Sequence, residues 1–592
     1  MSNNIKVISN RILLIRKIMI KNNIDCFYVP HHDENLLEEV PEYNNRLNWI
    51  SGFDGSAGNF LLFKKEAHLF VDGRYTLQAK MQLKGINLRI HDISVKSMLS
   101  FLEDKQTFPK VFAIDSKTIS VRDFQILKKV INKRKTKIKI LKTNIIDIAW
   151  KRQKKDFNKK IFFLNKRYVG KSYSEKVKYV FKKMKQEKLD YFFIQDSASV
   201  AWLTNMRGFS LKYTPILFCY ALLGFKKSFL FFKQIPEEIF KSDISKDFSI
   251  NTLDNFENVL KQINTNKKSI LIDKTFTSEH FFRILKKYFK GMTFGDDIIK
   301  TLKGIKNNQE ILSFKKAHLL DGVSLCKFIS WFKSEKYKFS EISIVQKLLK
   351  LREESSSYLC NSFPTIAALN SNAAIIHYSP KPETNKISKK KDILLLDSGG
   401  QYKYGTTDVT RTISRGNHPT KIKQDYTVVL KAHIQINLTR FPLKTPASFL
   451  DSIARNKMFE YGMDFAHSTG HGVGFCLNVH ETPPNISKFS KVELKKGMVF
   501  SNEPGFYKSN SHGIRIENLV YVKKNLRKYK EFLEIESLTL VPYERDLILD
   551  NLLSEKEKKW LNMYNKIVYE KISPFLNKKE KNWLSNYCRK FK

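Results

Sequence analysis

Cysteine is scarce in this chain and what there is stands apart: six residues in 592, at positions 26, 219, 326, 360, 476 and 588. No C-x-x-C pair occurs and no dense framework, which argues against a structural zinc site and fits free thiols in a reducing compartment. Long apolar runs are equally missing. No stretch reaches the roughly 18 residues that cross a bilayer, and the longest, residues 216–225, reads as a buried strand. Neither H-E-x-x-H nor G-x-G-x-x-G occurs, so the helical zinc-protease and dinucleotide fingerprints are set aside. The apolar residues at 12–15 are interrupted by Arg16 and Lys17, which breaks the core a secretory signal needs. An ordinary first helix is expected there, although its basic, amphipathic character is also that of an organelle transit peptide. Acidic residues are outnumbered, 58 against 105 Lys and Arg, for a formal charge of +47. Such a charge invites nucleic acid or an anionic membrane. Yet basic triplets such as Lys389-Lys390-Lys391 are scattered and not gathered into one arm. The expectation is a Lys- and Asn-rich composition spread over solvated faces, with no membrane and no nucleic-acid partner.

What the chain does have is apolar material: 42% hydrophobic residues, 45 of them Phe, enough for more than one core. Its first half reads as an internal repeat. The run from Ile24 through Asp25 to Val29 matches that from Leu189 through Asp190 to Ile194, each after a basic helix-like stretch. Tryptophan blocks follow, around Trp49 and Trp202, and then two β-rich runs in each copy (60–63 and 68–71; 216–223 and 228–232). Strands alternating with helices around a mixed sheet give an α/β (α+β) class with two similar N-terminal domains. The blocks GFDGSAG (52–58) and DGRY (72–75) are expected to be tight turns with an internal ion pair, since neither has the spacing of a phosphate loop. A charged linker at 151–160 and a seam near 303–308 give domains 1–155, 156–303 and 304–592. The third opens on an amphipathic stretch, 310–332, read as one long helix or two close ones, and ends in a helical tail from about 543.

Between residues 377 and 517 the character changes. His377 stands in IIHYSP, Asp397 in LLLDSGG, Asp408 in GTTDVTRT, His467 and His471 in HSTGHGVG, His480 in NVHE, Glu503 in NEPGFY and Glu517 in GIRIEN. Asp397 ends an apolar strand-like run, and Asp408 lies eleven residues on, so the two fit adjacent strands joined by a short turn. Buried carboxylates side by side repel unless a cation sits between them. The plain alternative is two strand-end acids, one paired with Arg411. His471 can offer a neutral imidazole to a metal, while His467 and His480 can orient substrate. Alternation places Arg515 and Glu517 on one face, where Arg515 is either a structural ion-pair partner or a holder of a peptide carbonyl or carboxylate. One imidazole with four carboxylates favours an oxygen-loving ion such as Mn²⁺, and a pair of ions is the usual hydrolytic arrangement.

Taken together, these blocks resemble the aminopeptidase P (Xaa-Pro aminopeptidase) branch of the pita-bread metallopeptidases, in its long three-domain form. The resemblance covers almost the whole chain, in the family's order and approximate spacing, and includes the tail around 560–564. It implies two creatinase-like domains ahead of a pita-bread catalytic domain, and hydrolysis of the N-terminal Xaa-Pro bond of peptides with proline second. By the same resemblance two Mn²⁺ ions per subunit (Co²⁺ or Zn²⁺ as alternatives) are held by Asp397, Asp408, His471, Glu503 and Glu517, Asp408 and Glu517 bridging. Glu503 would take a proton from the water that the two ions activate, His377 and His480 would bind the reacting peptide, and His467 would line the proline pocket. Tyr507 and Arg515 match supporting, substrate-side positions. A homodimer and a cytoplasmic location are further expectations. One departure is visible, Ser468 where the family has glycine, and it removes no ligand. A prolidase limited to dipeptides is the nearest rival, disfavoured by the two full preceding domains. A non-catalytic binding module for nucleic acid or protein partners has only the +47 charge in its favour.

Overall fold

The computed structural model describes residues 2–152, 160–263, 265, 267–334, 338–525 and 531–592. Most of the charged linker expected at 151–160 lies outside the described residues. The chain divides into two compact units, one comprising Met1–Phe163, Ser172–Lys212 and Ile216–Ile299, the other Leu164–Lys171, Tyr213–Pro215 and Lys300–Lys592.

The repeat is real at the level of topology. In the first unit a six-stranded sheet runs Arg89–Asp92, Ala67–Val71, Asn59–Phe63, Cys26–Pro30, Val111–Ile114, Lys137–Ile140. A second runs Phe248–Thr252, Ser228–Phe232, Cys219–Gly224, Tyr191–Ile194, Ser269–Ile272, Gly291–Phe294. Strand senses also agree: two antiparallel ladders in the middle, parallel ones outside. The central strands read as unbroken apolar runs because both faces are covered. The repeated aspartates have one job. Asp25 Oδ2 accepts from the Val111 N–H at 2.8 Å, and Asp190 Oδ2 from the Ser269 N–H at 2.9 Å, each tying down the first residue of the neighbouring parallel strand. The tryptophan blocks are short helices, Arg46–Ser51 and Ser197–Thr204, ended by left-handed Gly52 and Asn205. In DGRY the turn holds its ion pair, Arg74 Nη2 to Asp72 Oδ2 at 2.8 Å.

The stretch 310–332 lies in one helix of the second unit, Asn308–Ser334, and is not split in two. Helix Thr420–Leu438 is buried along most of its length. It shares a core with Phe500, Val520 and Val522 of a six-stranded sheet ordered Arg440–Pro442, Phe532–Ser537, Asn518–Lys524, Val499–Asn502, Gly470–Gly472, Glu481–Ile486. A three-stranded sheet, Ile366–Leu369, Ile393–Ser398 and Val409–Ser414, supplies a second core. The tail forms helices Glu555–Ile572 and Lys578–Tyr587, each started by a capping box, Ser554 with Glu557 and Asn577 with Glu580. All six cysteines are free thiols. Among the described residues no helix is long and apolar enough to cross a membrane.

Candidate metal centre

Three leucines carry Asp397 into the interior on the strand Ile393–Ser398, where every residue is buried. The antiparallel register pairs Asp397 with Thr410 and Ser398 with Val409. That sets Asp408, one residue ahead of the strand Val409–Ser414, at the same end of the sheet. The strands are neighbours as expected, but the link between them is not a short turn. A small hairpin, Gly400–Tyr402 with Gly405–Thr406, fills the connection, because eleven residues are more than a tight turn needs. Arg411 pairs with neither aspartate among the contacts described; its guanidinium donates to the carbonyls of Glu517, Val541 and Pro542.

The other sheet brings the remaining groups. Glu503 follows the strand Val499–Asn502 and Glu517 precedes Asn518–Lys524, and these two strands are paired. His471 sits mid-strand in Gly470–Gly472, next to Val499–Asn502. Its Nδ1 donates to the Gly472 carbonyl at 3.0 Å. That fixes the tautomer and turns Nε2 inward, 3.5 Å from Asp408 Oδ2 and 3.4 Å from Glu503 Oε1. Asp408, His471 and Glu517 offer one ligand atom each within 4.8 Å of one another.

Do these residues fit a cation? Among the described residues Asp397 Oδ1, Asp408 Oδ1 and Glu517 Oε1 are buried with no hydrogen-bond partner. The other oxygens are held: Arg515 Nη2 donates to Asp397 Oδ2 at 2.6 Å, and the Thr410 hydroxyl to Glu517 Oε2 at 2.7 Å. Ser501 Oγ donates to Glu503 Oε1 at 3.0 Å while accepting from the His471 N–H. Burial pushes Asp397 up to about 6 against the pull of Arg515. Burial, and then the neighbouring Asp408 and Glu503, put Glu517 well above the usual carboxylate range. His471 is desolvated too, yet Asp408 and Glu503 push it up to about 9. Glu503 is desolvated but ends below its ordinary value, chiefly because His471 faces it. Crowded acids with one oxygen oriented by a donor and the other left bare are what a divalent ion neutralises. The donor set, carboxylates and one imidazole, suits a hard or borderline ion. The residues fit.

Around this core lies a directed chain of hydrogen bonds. Arg515 Nη1 donates to the Tyr507 hydroxyl at 2.7 Å, and that hydroxyl donates to His467 Nε2 at 2.9 Å. His467 Nδ1 in turn donates to the Ser468 carbonyl at 2.7 Å. Burial lowers His467 to about 4, so it is neutral and each ring nitrogen has one role. Ser468 enters this chain through its carbonyl, a group that glycine also has. His480 stands edge-on to His471 with ring centroids 4.3 Å apart. His377 is tied in less directly: it follows Ile376, whose carbonyl accepts from Arg515 Nη1 at 3.4 Å. Thr410 and Ser501 were not singled out by sequence, although Thr410 stands inside a quoted block and Ser501 directly before one. The only signal for Thr410 is its register opposite Asp397, which needs the strand pairing to be known. Replacing Tyr507 with Phe removes the oxygen between Arg515 and His467. We expect kcat/KM to fall about tenfold, the worth of a lost buried bond, with metal content unchanged; steady-state kinetics with metal analysis checks this, and unaltered kinetics would contradict it.

Comparison with known proteins converges on one family. The profile of metallopeptidase family M24 matches residues 313–524, and that of its C-terminal region matches 531–591. Creatinase/prolidase N-terminal domain profiles match twice, at 11–143 and 151–310. A probable Xaa-Pro aminopeptidase P of Coprinopsis cinerea is 35% identical over 608 residues, covering 96% of each chain. Xaa-Pro aminopeptidase 1 of Dictyostelium discoideum is 33% identical, covering 96% of this chain and 94% of that one. Among solved structures, X-prolyl aminopeptidase from Caenorhabditis elegans superposes with a TM-score of 0.93 at 28% identity, over 98% of this chain and 99% of that one. That protein is described as a cytosolic enzyme with a dinuclear active site.

Proposed function

This chain belongs to metallopeptidase family M24, in its Xaa-Pro aminopeptidase P branch, and we infer that it is a metal-dependent aminopeptidase that removes the first residue of peptides whose second residue is proline. The observation that carries this is the convergence of four carboxylates and His471, with bare buried oxygens on three of the acids, in a chain matched from end to end by aminopeptidases of that kind. A dinuclear site is the coarse reading, and Mn²⁺ the finer one, favoured by the carboxylate-rich donor set. Asp397, Asp408, His471, Glu503 and Glu517 would hold the ions. When bound, such ions acidify water and polarise the carbonyl to be attacked.

The chain's own residues do the rest. His471 is locked by its Nδ1 bond with Nε2 facing inward. Glu503, kept ionised chiefly by His471 beside it, accepts a proton from the attacking water at a carboxylate oxygen. It returns that proton to the proline nitrogen as the peptide bond breaks. His377 and His480 bind the peptide across the reacting carbonyl. Neutral His467 borders the proline pocket, and Arg515 holds both Asp397 Oδ2 and Tyr507 in place. The same reading includes a homodimer and a cytoplasmic enzyme, the location supported by six free cysteines.

Peptides of graded length test it. Release of free arginine from Arg-Pro-Pro is expected to be faster than cleavage of the dipeptide Arg-Pro, by at least about tenfold in kcat/KM, since remote binding energy lowers the barrier for longer substrates. Preference for the dipeptide would instead favour a prolidase.

A further inference from the structure

Glu503 and Glu517 leave neighbouring strands at matched ends, because Asn502 and Asn518 stand opposite each other in the ladder. That asparagine pair is gripped by a buried polar cluster that the reaction does not use: Arg411, His433, Tyr543 and Tyr564. His433 Nδ1 donates to the Asn502 carbonyl at 3.0 Å, the carbonyl of the peptide group whose nitrogen is that of Glu503. Its Nε2 accepts from the Tyr543 hydroxyl at 3.0 Å. Asn502 Nδ2 donates back to the His433 carbonyl at 2.9 Å. On the other strand Arg411 Nη1 donates to the Glu517 carbonyl at 2.6 Å, and Nη2 to Asn518 Oδ1 at 2.7 Å. Asn518 Nδ2 donates to the Tyr543 hydroxyl at 2.9 Å, so this one oxygen links both strands. Arg411 also donates to the Val541 and Pro542 carbonyls, and the Tyr564 hydroxyl donates to the Val541 carbonyl at 2.9 Å while accepting from Arg411 at 3.3 Å.

We propose that the C-terminal segment 539–564 is a positioning element of the metal centre. Through Arg411, His433, Tyr543 and Tyr564 it fixes the peptide groups at Glu503 and Glu517 and so sets the separation of these two carboxylates. The bonds land on the ligand-bearing backbone from both strands, and their far ends are anchored in the tail. His433 is neutral, lowered to about 3 by burial and by Arg411, so it bridges as a fixed tautomer. A cluster that only filled the core would lower stability without a specific effect on the ion. Groups behind metal ligands, when removed, weaken metal binding by typically 10–100-fold.

The inference rests on Glu503 and Glu517 being ligands. The test titrates metal-free full-length protein with Mn²⁺ by calorimetry and records the metal-free melting temperature. Tyr543→Phe and Tyr564→Phe each delete one oxygen. Tyr587→Phe is the control, because its hydroxyl donates to Glu544 of the tail at 2.6 Å and, among the described contacts, to neither of the strands next to Glu503 and Glu517. We expect the Mn²⁺ dissociation constant to rise about tenfold in the first two variants and to stay at the wild-type value in the control, with all three melting alike. Wild-type affinity in both test variants overturns the proposal, as does equal weakening in all three. Glu517→Gln, run in parallel, separates the two levels: wild-type Mn²⁺ affinity there refutes the ligand assignment itself.

Discussion

Asp408→Asn is expected to lose metal and turnover together. The change keeps the size and shape of the side chain and removes its charge, so strand Val409–Ser414 has no reason to move. Asp408 brings one oxygen to within 3.5 Å of His471 Nε2 and another that is buried with no hydrogen-bond partner among the described residues. An amide there offers an N–H or a neutral oxygen where a cation needs an anionic donor. The variant also deprives His471 of the acid that most favours its charge. We expect metal content to fall below one ion per chain and kcat to drop by roughly 10³-fold, about 4 kcal/mol of transition-state stabilisation. Metal analysis of the purified variant and kcat on Arg-Pro-Pro check both halves. Retained metal with full turnover would reject the ligand assignment.

Gly470→Ala should also have a large effect, for a mechanical reason. A Cβ on Gly470 would lie 1.8 Å from the Ser501 carbonyl oxygen and 2.8 Å from its carbon. Both partners are backbone of paired strands, so neither can rotate away. One strand must shift, and it carries His471 away from Glu503, now 3.4 Å apart. It also breaks the His471 N–H bond to Ser501 Oγ. Forcing a methyl into a packed site costs about 1–3 kcal/mol or more, and a misplacement near 1 Å at a reacting centre costs about 100-fold in rate. We therefore expect a lower melting temperature and roughly a 100-fold loss of activity. Gly462→Ala is the comparison. Its φ of 65° makes alanine strained, but nothing lies within 4 Å of the added atom. It should cost about 1 kcal/mol and leave turnover alone. Equal loss of activity in the two variants would show that strand placement at Gly470 is not what matters.

Much of this was legible in the sequence, for physical reasons that can be named. The two sheets of the first unit showed because their central strands are apolar on both faces and their aspartates repeat a backbone-capping task, Asp25 on Val111 and Asp190 on Ser269. The candidate site showed because several of its proposed ligands stand at or next to strand ends: Asp397 after three leucines, and Glu503 directly after Val499–Asn502. What lay hidden depends on pairing across distant segments. The hairpin between Asp397 and Asp408 was not visible, since short strands rich in glycine carry little periodicity. Arg411 could be read as a partner for an aspartate, whereas most of its bonds go to groups more than 100 positions away. His433, in a helix buried on most sides, gave no sign that it braces Asn502. Its spacing reads as core, and only the fold brings it to a strand end.

The most direct measurement is metal reconstitution. Protein stripped with a chelator and dialysed is titrated with Mn²⁺ while release of arginine from Arg-Pro-Pro is followed. Five ligands of this make-up predict negligible release without metal and activity that saturates near two ions per chain. Full activity in the stripped protein, or no release at any level of added metal, would contradict the account.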